Sequence, residues 1–283
     1  YGDHRDLHLS LRRQRQMCIR DRMTNILIRS DKNSVAALSL NDLPANSLSM
    51  PMMEEIQNQL TTIDHDDSIR VIIIKSESDK IFSSGHNLKE VKGFLDNNDT
   101  KSQVELFSTC SSMMKQIQAL SKPVIAQVRG IATAAGAQLV ASCDLAYGSL
   151  DSKYATPGVN IGLFCHTPQV AVSRTIGRKP MMEMLLSGEP ISSERAVQIG
   201  LINAAVDSAD LEKTVEKSCN DICNKSAAVI AMGKKSFYRQ SEMPLTDAYD
   251  FTSAEMVRNL TLNDGNEGIS SFLEKRDPNW SND

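Results

Sequence analysis

The chain has 283 residues, 41% hydrophobic and 23% charged, which is the balance of an ordinary globular protein long enough to bury a full core. No run approaches the ~18 uninterrupted apolar residues that a membrane-spanning helix needs, so no membrane span is expected. The charge is uneven: residues 1–22 carry six Arg and three acids (+3), leaving 31 − 6 = 25 basic and 35 − 3 = 32 acidic side chains (−7) for the rest. A body that acidic, with only 5% aromatics, is a poor fit to nucleic acid.

Residues 1–22 show no starting Met, no apolar stretch of signal-peptide type and no sustained period. They are read as a non-native or disordered leader ahead of Met23, and His4 and His8 fall within it. After Met23, residues 26–28 and 35–40 are predicted strands around the polar turn 30–33. Pro51 then opens a helix whose stripe is Met53, Ile56, Leu60 and Ile63. Residues 71–74 (Val-Ile-Ile-Ile) form a strand covered on both faces. A loop with Ser83, Ser84 and Gly85 leads into a polar stretch through Asn98.

A second helix carries Val104, Phe107, Met114 and Ile117, and residues 123–128 are the next buried strand. A helix of small residues over 133–142 and a strand from Asp144 follow. Beyond Pro157 the pattern is mainly helical. Ser192, Ser193 and Glu194 open a helix that Gly200 closes, and residues 201–206 are a last strand. Helices are predicted over 210–224, 227–240 and 246–262, with a short one after Asp264 and Gly265. The expected organisation is a leader (1–22), an α/β core (23–205) and a helical C-terminal region (206–283).

The six cysteines form no C-x-x-C pair. Cys219 and Cys223 share a helix face without the partners a metal would need, so free thiols and no metal site are expected. His65 sits among Asp64, Asp66 and Asp67 at a helix end and reads as solvated.

Two segments stand out for chemistry. Each is a buried strand running into very small residues: 80–90 (Lys-Ile-Phe-Ser-Ser-Gly-His-Asn-Leu-Lys-Glu), and 123–138, with Ala132, Ala134, Ala135, Gly136 and Ala137. Small residues let a helix pack close to a sheet. They also let backbone N–H groups at a helix start approach a ligand oxygen, where unpaired donors and the positive dipole end suit a developing oxyanion.

Together the two segments resemble the signature of the crotonase (enoyl-CoA hydratase/isomerase) superfamily, F-x-x-G-x-D-L and K-P-V-I-A-x-V-x-G-x-A-x-G-G-G. Three later stretches agree: 142–146 (Ser-Cys-Asp-Leu-Ala), 186–196 with Gly200-Leu201, and 264–276. The similarity runs from about Met23 to Trp280. The His86 loop and residues 155–165 are most similar to the group called enoyl-CoA hydratase domain-containing protein 3. The resemblance implies an α/β fold, the ClpP/crotonase-like spiral of β-β-α units with a helical C-terminal trimerisation region. It implies an acyl-CoA thioester as ligand, no cofactor beyond its CoA moiety, and a homotrimer or hexamer. It also implies fatty-acid or lipid metabolism, in the cytoplasm if bacterial or the mitochondrial matrix if eukaryotic.

Carried over by position, the two oxyanion donors are the backbone amides of His86 and Ala135. The CoA-contacting stretch is His86, Asn87, Leu88 and Lys89, where Asn87 replaces the usual Asp. The acid/base positions depart from the family. One usual Glu is Gln138 and the other is Gly158, and neither exchanges protons at neutral pH. His166 lies where some isomerases of the family carry an Asp. Cys165 beside it has no evident base and reads as inert. The expected function is acyl-CoA (enoyl-CoA) processing through a backbone oxyanion hole, with weak hydratase chemistry at most. The alternatives are a non-catalytic acyl-CoA-binding or regulatory protein, and a thioester hydrolase using His166.

Overall fold

The computed structural model describes residues 25–282. Six strands form one mixed sheet in the order β1 (Leu27–Lys32), β2 (Val35–Leu40), β3 (Val71–Ser76), β5 (Val124–Val128), β7 (Leu145–Ser149) and β10 (Ala204–Val206). β1 and β2 make an antiparallel hairpin in which Lys32 faces Val35. The two linking residues, Asn33 and Ser34, both have positive φ (51° and 61°), the backbone a two-residue turn between twisted strands requires. Every other pairing in this sheet is parallel. Helices cover both faces of such a sheet, which is why the first four residues of β3, Val71 to Ile74, are all apolar and buried.

A second sheet has four short strands in the order β4 (Ile81–Ser83), β6 (Ile131–Thr133), β8 (Lys153–Ala155) and β9 (Ile191–Ser192). The chain passes from the first sheet straight into the second at β3–β4, at β5–β6 and at β7–β8, and each time a helical segment follows. This is the expected spiral of β-β-α units. The ends of β4, β6 and β8 thereby lie side by side, since β6 pairs with both β4 and β8.

Helix α1 (Met50–Asp64) buries Met52, Met53, Ile56, Leu60 and Ile63 against the main core. The stretch through Asn98, read from the sequence only as polar, contains a second helix, α2 (Leu88–Asp96). The Asn87 side chain accepts the Lys89 N–H at 3.0 Å and caps it, while Val91 and Phe94 lean on the core. Helix α3 (Thr100–Ala119) buries Leu106, Cys110, Met113, Met114 and Ile117. Val104 and Phe107, expected inside, are 63% and 41% exposed. The competing stripe, one position away, holds more residues and wins the core.

The small-residue segment is a strand to Thr133 and a helix, α4 (Ala135–Ser142), only from Ala135. Then come a 3-10 turn (Pro157–Ile161), α5 (Pro168–Thr175), α6 (Arg178–Ser187) and α7 (Ser193–Gln198). Helix α8 (Leu211–Cys223) closes a second core, placing Leu211, Val215 and Cys219 on Val71, Ile73 and Ile125.

Three last helices complete the chain: α9 (Ala227–Gln240), α10 (Leu245–Leu260) and α11 (Asn263–Glu274). Helix α9 is held to the sheet by a buried polar cluster. Asp144 accepts the Val124 N–H (2.7 Å), the Lys234 ammonium (2.6 Å) and the Tyr238 hydroxyl (2.8 Å). Lys234 also donates to the carbonyls of Ile117 and Lys122. The C-terminal helices leave large apolar side chains in the open, with Leu245 75% and Phe272 82% exposed. Among the described residues no helix is long and apolar enough to cross a membrane.

Candidate active site

The two small-residue segments meet where β4 and β6 end. Gly85 has φ +83°, and a Cβ built on it would stand 2.9 Å from the Ala135 nitrogen and 3.0 Å from the Ala134 Cβ. One residue further along α4, a Cβ on Gly136 would lie 2.4 Å from the Ser83 carbonyl oxygen, so only glycine lets the helix lie this close on β4. Hydrogen bonds fix the approach. Thr133 Oγ1 donates to the Ser84 carbonyl (3.2 Å), the Gly85 carbonyl accepts the Leu48 N–H (2.8 Å), and the Ala155 carbonyl accepts the Ala134 N–H (2.9 Å).

The next amide on each segment is therefore the one left over. Neither the His86 nor the Ala135 N–H donates a hydrogen bond to any described residue. Ala135 opens a helix, so its N–H points out of the helix end and carries part of the dipole charge. Ala134 before it has φ +50° and ψ −119°, a left-handed backbone that a residue with a Cβ seldom adopts.

Around this pair the other predicted residues take distinct places. The His86 ring is half-buried and packs edge-on to Phe107, with centroids 5.1 Å apart. Its Nε2 is buried without a partner, and burial pulls its pKa down to about 4, so the ring is neutral at pH 7. Leu88 and Lys89 are exposed at the start of α2. Gln138, one turn along α4 from Ala135, is only 4% exposed, and its Oε1 has no hydrogen-bond donor.

Gly158 lies in the 3-10 turn, and a Cβ there would meet the Leu163 carbonyl oxygen at 3.0 Å and the Cys165 Sγ at 3.1 Å. The Cys165 thiol thus occupies the room a side chain at 158 would need. Burial pushes its pKa up, partly offset by the Gly158 backbone hydrogen bond, in keeping with an inert thiol. His166 is exposed, its ring 5.3 Å from that of Phe164, and no hydrogen bond joins it to His86, Ala135 or Gln138.

Two residues escaped the sequence reading. Thr156 directly follows the carbonyl that holds Ala134, is 1% exposed, and has a hydroxyl without a partner. Glu90 accepts the Met50 N–H, and burial pushes its carboxyl pKa up. Nothing in their own sequence context marks either one, because burial without a partner is a property of the assembled fold.

The sequence model described as Enoyl-CoA hydratase/isomerase matches residues 30–283. The chain belongs to this family. Among its members, the mitochondrial enoyl-CoA hydratase domain-containing protein 3 of Xenopus laevis is 44% identical over 259 residues, covering 91% of this chain and 87% of the relative. The human protein of the same name is 44% identical over 238 residues, 84% of this chain and 77% of that one. The crystal structure of human enoyl Coenzyme A hydratase domain-containing protein 3 superposes with a TM-score of 0.87 at 42% identity, covering 90% of this chain and all of that one. An enoyl-CoA hydratase of Mycobacterium smegmatis gives 0.86 at 41% identity, over 90% of this chain and 98% of that one. The enoyl-CoA hydratase/isomerase family thus accounts for the spiral, the order of the motifs and the helical C-terminal region alike.

Proposed function

We propose that the protein binds an acyl-CoA thioester with its carbonyl oxygen between the amides of His86 and Ala135, and polarises it toward an enolate. The single observation that carries this reading is the pair of unpartnered N–H groups beside the Gly85–Ala135 approach. Donation by the main chain is indifferent to side chain, so His86 and Ala135 serve as well as smaller residues. Preorganised donors of this kind act without reorganisation as charge develops. Hydration of a double bond also needs a base for water and an acid for the α-carbon, and Gln138 and Gly158 provide neither. Hydratase activity is therefore expected to be very slow.

A second reading, an acyl-CoA binder without catalysis, is favoured by the same two positions. Calorimetry with acetyl-CoA and free CoA, followed by mass spectrometry of products from a panel of enoyl- and hydroxyacyl-CoA thioesters, separates the two. Binding without turnover supports the second reading, and no binding of any thioester by folded protein refutes both. The exposed apolar residues of α10 and α11 support a homotrimer or hexamer, to be read by sedimentation. Relatives named mitochondrial support a place in the mitochondrial matrix, and an acyl-CoA ligand would fit a role in fatty-acid metabolism.

A further inference from the structure

Helix α8 lays Leu211, Val215 and Cys219 on Val71, Ile73 and Ile125, but beside them it leaves a cavity of about 260 Å³ against β2 and β3. Ile73 and Ile125 are register partners on β3 and β5. Two residues further along both strands, Lys75 and Gln127 therefore point to the same side of the sheet. Both line the cavity. They sit near the carboxyl ends of parallel strands, the edge of an α/β sheet at which ligands are commonly held. The cavity shares no residue with the His86 loop or with α4.

Gln127 is what sets this cavity apart from an ordinary surface groove. It is 7% exposed, and its side-chain amide makes no hydrogen bond to any described residue. A buried amide left unsatisfied calls for a partner that the fold does not supply. An amide presents donors and an acceptor together, so the partner that completes it carries an acceptor and a donor. The charged groups around it agree. Lys75 on the sheet and Glu212 on α8 line the same cavity, and neither side chain forms an ion pair or hydrogen bond among the described residues. Lys32 and Glu216, the other two charged residues of the lining, answer each other at 3.9 Å. A simple anion would meet the Glu212 carboxylate, and a simple cation the Lys75 ammonium. A ligand with one charge of each sign meets both with its opposite. Beneath these groups Val35, Ala37 and Ile73 give an apolar floor.

We propose that this cavity binds a free aliphatic α-amino acid. The ligand carboxylate accepts from the Lys75 ammonium and the Gln127 amide N–H. The ligand ammonium donates to the Glu212 carboxylate and the Gln127 side-chain oxygen. The hydrocarbon side chain lies on Val35, Ala37 and Ile73. This site stands apart from the paired amides of His86 and Ala135, so the inference does not depend on the thioester reading.

The test is calorimetry of the full chain with L-leucine, with glycine, and with two analogues that each lack one charge, leucinamide and 4-methylpentanoate. Leucine is expected to bind with a Kd below ~1 mM, a range open to a ligand of so few atoms. Glycine and both analogues should bind at least ~10-fold more weakly, since each loses the apolar contact or a charge-assisted one. Lys75→Met and Gln127→Leu are close in size to the residues they replace, and circular dichroism checks that each variant folds. Each should weaken leucine ~10-fold or more and leave acetyl-CoA binding unchanged. No saturable leucine binding below ~1 mM overturns the proposal. Binding of 4-methylpentanoate as tight as that of leucine also overturns it, by showing an anion site, and so does full leucine affinity in folded Lys75→Met. Acetyl-CoA titrated into the same samples reports on the thioester site separately, so failure of either reading leaves the other standing.

Discussion

Replacing Gly85 by Ala perturbs the oxyanion pair with a single methyl group. The new Cβ would stand 2.9 Å from the Ala135 nitrogen, 3.0 Å from the Ala134 Cβ and 3.1 Å from the Thr133 carbonyl oxygen, on backbone with φ +83°. A left-handed conformation costs a residue with a Cβ ~1–2 kcal/mol. Overpacking against fixed backbone atoms adds ~1–3 kcal/mol. The two share one relaxation, so about 2–4 kcal/mol is expected rather than their full sum. Relaxation has one direction open to it, which is to part the loop from α4, and this separates the two amides. Loss of one oxyanion donor typically costs ~10²–10³ in rate. Urea denaturation measures the stability loss. Calorimetry at a temperature where circular dichroism shows the variant folded compares acetyl-CoA with a thioether analogue that lacks the carbonyl. The parent should prefer the thioester and the variant should not. A folded Gly85→Ala protein that keeps the full preference would refute the placement of the carbonyl oxygen.

Ala134→Gly relieves a φ of +50°, and the strain removed (~1–3 kcal/mol) exceeds the added chain entropy (~0.5–1 kcal/mol), so the urea midpoint should rise. Crotonyl-CoA hydration, followed by loss of enoyl-thioester absorbance, should be at least ~10³-fold below a competent hydratase in the parent. Gln138→Glu with Gly158→Glu should recover part of it only when Cys165→Ala makes room for the new side chain, and an ordinary rate in the parent would show that the missing acids are irrelevant. His86 binds a proton less readily folded (about 4) than unfolded (~6.5), so the unfolded chain takes up more protons between those values. Its neutral burial is accommodated fully above pH ~6.5, and stability falls as pH drops toward 4, by at most ~3 kcal/mol; His86→Leu should flatten that stretch of a stability–pH curve. Lys234→Met strands the buried Asp144 carboxylate and should lower stability by ~3–5 kcal/mol in chemical denaturation, whereas an effect under ~1 kcal/mol would mean that the cluster is well solvated.

The long apolar strands and the helices with strong caps or stripes were legible because their signal is local. β3 reads as a doubly covered strand from four branched residues, and α1 from Pro51 and its stripe. The strands of the second sheet were not legible. β4, β6 and β8 have three residues each, too short for any period to emerge, and β6 hides inside a run of alanines that reads as helix. Helix α2 was missed because its polar composition outweighed the cap at Asn87, and because its apolar residues are only half-buried. In α3, two stripes competed, and only packing could choose Leu106 over Phe107. The positions of His86 and Ala135 were legible through their motifs. The reason those amides are left without partners was not, since it depends on contacts between residues some fifty positions apart, such as Thr133 to Ser84.

The cluster at Asp144 also constrains the order in which a growing chain can complete its core. Asp144 and the first amide of β5 are synthesised early, but the ammonium that answers the carboxylate lies 90 residues downstream and the tyrosine hydroxyl 94. At ~5–20 residues per second, that separation is roughly 5–20 s of translation. During it the segment between α4 and β7 carries a carboxylate without its cation, so the nascent sheet stays open to water there. Chains halted before Lys234 should be cut readily by protease near β5 and β7, and those halted after Tyr238 has left the ribosome should resist. The last third of the polypeptide thus acts as the closing step of folding for a site whose residues were all made before it.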